Sequence, residues 1–253
     1  MERTMLVVAS TIVGALTLFG CGDSGGDGGT AGTGGSAQTV TVELAVFEFA
    51  PGEANVPVPD AEVCVLDSSN CATSDAEGLV TLQVPANAET GFTVIAAGFT
   101  PTIAPQTTTD EDLTNLTPLL ADTLATALAA ILNTPYPFEG TGAVALSVLV
   151  APVTDDDNGI SGVTLTADRT ATSYYLDEDE FPSLDLTETI APSGAGGYIE
   201  LAAGTLEITL GGTASNCIIV SGWAGSDASS VRVPIEVGFF TQAFVTCDPV
   251  SAP

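Results

Sequence analysis

Residues 39–50, TVTVELAVFEFA, alternate apolar and polar side chains. Val40, Val42, Leu44 and Val46 fall on one face, and Thr39, Thr41 and Glu43 on the other. Successive side chains of a strand point to opposite sides of a sheet, so the stretch is a strand half buried on a core. The same period continues further along. Val63 and Val65 follow it, and then Leu79, Thr81 and Gln83. Between them SDAEG (residues 74–78) is a turn signal: Gly78 takes positive φ without a Cβ penalty, and Asp75 can bond its own backbone. TGFTVIAAGFTPT (residues 90–102) gives another strand and a further turn at Gly98. Short strands punctuated by such turns predict an antiparallel β-sandwich over residues 39–106.

Several motifs in this region resemble the carboxypeptidase regulatory-like, or transthyretin-like, domains of bacterial surface proteins. They are Pro59-Asp60-Ala61-Glu62-Val63, Thr73-Ser74-Asp75-Ala76-Glu77-Gly78, Val84-Pro85 and Val94-Ile95-Ala96-Ala97-Gly98-Phe99. The resemblance covers about 60 residues. Its motifs are turn and core positions, so it implies a fold and no activity. The segment CVLDSSNC (residues 64–71) departs from the family's plain hairpin. A disulfide between Cys64 and Cys71 would close it, contributing on the order of 2–3 kcal/mol.

The texture changes over residues 107–138, the expected linker. Thr117 reads as a helix N-cap with Pro118 at the first helical position. Leu120, Leu124, Ala127, Leu128 and Ile131 recur at helical spacing and form an apolar stripe for packing on a sandwich. Asp110, Glu111 and Asp112 suit the region before a helix N-terminus, where negative charge is favoured. Pro135 and Pro137 end the helix.

Residues 139–253 repeat the first plan. Ile160-Ser161-Gly162-Val163-Thr164-Leu165 parallels Asp60-Ala61-Glu62-Val63-Cys64-Val65, and a GAGG turn and a strand follow. The expected fold is therefore mainly β: two Ig/transthyretin-like antiparallel β-sandwiches joined by one helix-containing linker. Cys217 and Cys247 flank the last strands, and their pairing would contribute roughly 3 kcal/mol.

Composition narrows the chemistry. The chain has 253 residues, 32 acidic against 3 basic, and a net charge of −29. Nucleic acid and anionic headgroups would be repelled, so neither is an expected partner. With no histidine, the chain lacks the usual general base and proton shuttle, which excludes Ser-His-Asp and Cys-His catalysis. No enzyme activity and no cofactor are expected.

Two minor site readings remain. Asp155, Asp156 and Asp157, with Asp177 and Asp179, could supply oxygens to calcium. However, TDDDNG breaks the alternation of an EF-hand loop, because the frame needs Asp where Thr154 stands. The leading reading is of solvated acidic loops. Tyr174, Tyr175 and Trp223, with Phe181, could stack on a sugar, although aromatics on strands are more often core. A calcium- or carbohydrate-binding surface module is thus the alternative function.

The N-terminus carries the address. Arg3 precedes an apolar run from Met5 to Phe19 that is too short for a comfortable membrane span. Leu18-Phe19-Gly20-Cys21 resembles the lipobox of bacterial lipoproteins. The resemblance implies a signal peptide over residues 1–20, cleavage before Cys21 and acylation of Cys21 by lipids such as palmitate. Several acyl chains make a stable anchor at about 0.8 kcal/mol per buried methylene. Gly22 at the second position, in place of Asp, implies the outer membrane. Residues 21–38 form a Gly/Ser-rich tether. The expected role is a structural, adhesive or ligand-binding module on a bacterial cell envelope. Its partners would be the membrane, through Cys21, and a protein or glycan.

Overall fold

The computed structural model of the chain describes residues 38–49, 55–151 and 158–249. Cys21, the signal and tether segments, and Asp155, Asp156 and Asp157 lie outside the described residues. The alternation of residues 39–46 is obeyed: in β1 (Thr39–Glu48), Val40, Val42, Leu44 and Val46 are buried. There follow β2 (Val56–Pro57), β3 (Glu62–Val65), β4 (Cys71–Thr73), β5 (Leu79–Pro85), β6 (Glu89–Ile95), β7 (Thr102–Thr107) and β8 (Leu113–Leu119). One helix, α1 (Asp122–Ile131), separates these from β9 (Gly142–Val150), β10 (Val163–Ala167), β11 (Thr172–Leu176), β12 (Pro182–Ser183) and β13 (Ala195–Leu201). The chain continues through β14 (Gly204–Gly212), β15 (Ala214–Ser221), β16 (Trp223–Ala224), β17 (Ser230–Ile235) and β18 (Phe240–Pro249).

The pairing plan occurs twice. In the first sandwich β1 lies between antiparallel β5 and parallel β8, while β6 lies between β3 and β7 in the facing sheet. In the second, β9 lies between antiparallel β13 and parallel β18, while β14 lies between β10 and β17. Each sandwich has its own apolar core, one built on Val42, Leu44 and Phe92, the other on Leu146, Leu206 and Ile208. The parallel drawn between Val63 and Val163 in the sequence corresponds to equivalent strands, β3 and β10.

The duplication extends to single hydrogen bonds. Ser74 Oγ donates to the Val58 carbonyl at 2.8 Å and accepts from the Ala61 N–H at 2.9 Å. Thr189 Oγ1 donates to the Ile160 carbonyl and accepts from the Val163 N–H at 3.0 Å. Both hydroxyls are buried. Each clamps the turn that leads into β3 or β10, satisfying backbone groups that could not reach a ladder partner. A glycine completes each unit. Gly78 and Gly194 both have positive φ, and an added Cβ would stand 2.3 Å from the Val46 carbonyl oxygen and 2.5 Å from that of Val148. Only glycine fits so close to the first strand.

The two sandwiches share a sheet. One edge of β18 carries β9, and the other carries β7 at Phe240 and Thr241, then β15. Residues paired across strands point to the same face. The register runs Val94↔Thr102↔Phe240, so the core containing Val94 lies on the Phe240 side of the sheet. Ala243 and Val245, an odd number of residues from Phe240, point to the opposite side and enter the second core. The sandwiches therefore pack on opposite faces of one ten-stranded sheet.

Four local expectations are corrected. Thr117 and Pro118 belong to β8, not to a helix start, and the helix begins at Asp122, whose N–H bonds the Gly98 carbonyl at 2.9 Å. Proline is tolerated there because β8 is an edge strand, paired to β1 alone. Asp112 does not serve the helix; its carboxylate accepts from the Thr41 N–H at 2.7 Å. The helix buries Ala125, Ala129 and the following Leu132, whereas Ile131 is exposed. In β5 the buried phase is Val80, Leu82 and Val84, with Leu79 outward.

Ser74→Ala and Thr189→Val should each destabilise the protein by about 1–3 kcal/mol, because each leaves a buried carbonyl and N–H unpaired. Urea unfolding midpoints measure this, with the exposed Ser229→Ala as the reference. Losses no larger than the reference's would contradict the clamp.

Candidate functional site

Both disulfides form. Cys64 and Cys71 join β3 to β4 at paired positions, and Cys217 and Cys247 join β15 to β18. The aromatic residues do not assemble a stacking platform. Tyr174 and Tyr175 are 6% and 3% exposed. Tyr174 donates to the Val144 carbonyl at 3.2 Å, and Tyr175 accepts from the Leu165 N–H at 2.8 Å. These rings are core residues whose hydroxyls finish backbone pairing, so neither presents a face to a sugar. Trp223 lies between the sandwiches, donating from its indole to the Thr90 carbonyl at 2.6 Å.

The acidic loop at residues 177–180 is turn chemistry. The Asp177 carboxylate accepts from the N–H groups of Asp179 and Phe181 at 3.0 and 2.9 Å. Among the described residues no three acidic or cysteine side chains gather as metal ligands. Glu207 is held below the usual carboxylate range by hydrogen bonds from the Ser226 hydroxyl and N–H, which belong to loop structure. The two arginines among the described residues pair with acids: Arg169 with Asp168 at 3.6 Å, and Arg232 with Glu89 across the junction of the sandwiches.

The chemistry missed in the sequence lies under the helix. β9 is apolar on both faces. Val144, Leu146 and Val148 enter the second core, and Ala143, Ala145 and Ser147 point the other way. The helix meets that second face with Ala125, Leu128 and Ala129. Small side chains on both sides leave a half-open pocket of about 280 Å³, flanked by Tyr174, Phe138, Phe240 and Phe244 and with Glu180 in its lining. Pro118 and Phe49 of the first sandwich complete the wall. The sequence signal was GAVALSVLV itself, since a strand buried on both faces reads as a near-continuous apolar run.

One polar group stands out in this lining. Gln242, on β18, is 8% exposed. Its Nε2 donates to the Pro118 carbonyl at 2.9 Å, while its Oε1 is buried and no donor among the described residues reaches it. The Pro118 carbonyl fixes the amide's orientation, because the reverse would set two acceptors against each other. Nearby, Tyr136 hydrogen-bonds Asp122 at the helix start and lies 2.9 Å from Thr100 Oγ1, tying the segment after the helix to its first turn and to the first sandwich.

No protein-family model matches the chain, and no match is found among curated proteins. Solved structures similar to it include the minor pilin GBS52 of Streptococcus agalactiae, at 13% identity and TM-score 0.30, covering 85% of this chain and 98% of that one. The shaft pilin spaA of Lactobacillus rhamnosus GG matches at 9% identity and TM-score 0.26, covering 85% and 100%. A cohesin–X-dockerin complex from Acetivibrio cellulolyticus matches at 13% identity and TM-score 0.27, covering 41% and 76%. At these scores the likenesses carry no inference about activity or partners.

All four tyrosines have raised pKa values. Burial pushes Tyr136 and Tyr198 up to about 12, with Asp122 adding to the effect at Tyr136. The neutral phenol is favoured in the folded chain, so the unfolded chain ionises first. Their stabilisation is complete below pH 10 and is lost as pH rises from 10 to about 12. Ultraviolet difference spectra should show little phenolate in the folded protein at pH 10, with stability falling above it. Half-ionised tyrosines at pH 10 in the folded protein would contradict these environments.

Proposed function

We propose that the chain is a non-catalytic, lipid-anchored structural module of a bacterial cell envelope, displaying its two sandwiches as one body on a flexible tether. The observation that carries this reading is the junction. β18 belongs to the second sandwich and also pairs with β7 of the first. The Trp223–Thr90 and Arg232–Glu89 contacts close the same seam. Such a seam suits a spacer or adhesive element that must hold its shape. A disulfide within each sandwich fits an exported, oxidising setting.

Charge supports the anchor by exclusion. At −29 the chain gains nothing from anionic headgroups, so membrane attachment falls to acyl chains on Cys21. In this reading residues 1–20 are removed, residues 21–38 are slack, and the outer membrane is the destination. The absence of histidine supports a non-catalytic role.

Metabolic labelling with palmitate in a bacterial host tests the anchor. The wild type should take up label and partition into detergent, and Cys21→Ala should do neither. Equal labelling of the two would overturn it.

A further inference from the structure

We propose that the half-open pocket beneath α1, together with an apolar strip that leads out of it across the first sandwich, is a docking groove for an extended, basic and apolar segment of a partner protein. The strip follows from the register of β1. Its outward side chains are paired on both edges: Ala45 with Leu79 and Leu116, and Phe47 with Pro57 and Pro118. Residues paired across strands share a face. The outer face of this sheet is therefore apolar over two successive rows, and Leu116 is 57% exposed there. Phe49 follows two residues beyond Phe47 and is 41% exposed. Phe49 and Pro118 also line the pocket, so pocket and strip form one continuous apolar surface. Exposed apolar surface of this kind marks an interaction site.

Shape selects a chain segment. From Ala45 to Phe49 the strip runs about 14 Å, at roughly 3.4 Å per residue. The pocket of about 280 Å³ opens at its end. An apolar cavity of about 150 Å³ takes up benzene, so the pocket has room for a Phe or Leu side chain, and the strip receives the residues beside it. Charge selects the composition. Glu43, the next outward residue of β1 after Ala45, is exposed. Glu180 lies in the pocket lining, on the turn that also carries exposed Glu178 and Asp179. Carboxylates thus stand beyond the far end of the strip and at the pocket. A segment with Lys or Arg on both sides of an apolar run complements them.

A second copy of this chain does not meet these conditions. The sequence has no lysine and 3 basic residues, all arginine. Arg169 and Arg232 are already paired with acids. Two copies at −29 each also repel one another. The cations therefore come from another protein. The proposal rests on the adhesive role given above and names its partner class. It does not depend on the anchor at Cys21, which palmitate labelling tests separately.

The test is calorimetry on the full chain with three end-blocked peptides: KGLFLFGK, the serine control KGSSSSGK and the charge-reversed EGLFLFGE. The wild type should bind the first at least about tenfold more tightly than either control. Phe49→Ser combined with Leu116→Ser removes two exposed side chains and should reduce that affinity to the level of the serine control. Glu43→Gln combined with Glu178→Gln should weaken binding by roughly three- to tenfold. Glu62→Gln combined with Asp67→Asn removes the same charge from β3 and its hairpin and should change binding less than about twofold, because charges farther than about 8 Å are screened at about 0.15 M salt. If the paired serine variant fails to fold, the three peptides and the two charge pairs still decide. Equal binding of the first peptide and the serine control would overturn the proposal. So would binding that survives the paired serine variant, or equal effects of the two charge pairs. A dimer of the protein alone in sedimentation, dissolved by Leu116→Ser, would assign the groove to a second copy and overturn it as well.

Discussion

The parallel pairing of β18 with β9, and of its first residues with β7, is the constraint on which the rest depends. A strand can be hydrogen-bonded on both edges only if its neighbours belong to one sheet. β18 uses β9 along its length on one edge and spends the other on β7 and β15. The Cys217–Cys247 disulfide then fixes β15 against it. Because the two cores lie on opposite faces of this sheet, neither sandwich covers the other's outer surface. The outer face of β9 and β18 is left to the helix. This is why the described residues, otherwise β, contain one helix at this point, and why the helix lies over a face of alanine and serine.

The same constraint explains the cavity. A helix packing on a sheet approaches as closely as the facing side chains allow. Here Tyr174, Phe138 and Phe240 form a small cluster with Leu132 and Ile199 at one side, while the middle is lined by Ala143 and Ala145. The large flanks hold the helix at a distance that the small centre does not fill. The amide oxygen of Gln242, buried beside this pocket without a donor among the described residues, costs stability.

Much of the fold was legible because its information is local. Period-two alternation identified β1, Asp75 and Gly78 identified the turn before β5, and the resemblance between residues 60–65 and 160–165 identified the duplication. The cysteines were legible because four remain in an exported chain once Cys21 is set aside. What escaped was non-local. Thr117-Pro118 carries the local signature of a helix start, yet parallel pairing with β1, about 70 residues away, makes it a strand. Tyr174 and Tyr175 look alike whether on a surface or in a core, and only the packing of β11 against β13 buries them. Gln242 is one polar residue in a strand, and its significance comes from the helix folded over it. The clamps at Ser74 and Thr189 were hidden by unequal spacing, since their glycines follow four and five residues later.

Equilibrium unfolding in guanidinium, followed at once by Trp223 fluorescence and far-ultraviolet circular dichroism, tests the shared strand most directly. Trp223 is the single tryptophan and donates across the seam to Thr90. If β18 binds the sandwiches into one cooperative body, the two signals trace a single coincident transition. A fluorescence change that precedes the loss of β-structure, or two resolved transitions, would mean that the sandwiches part and unfold separately, contradicting the account.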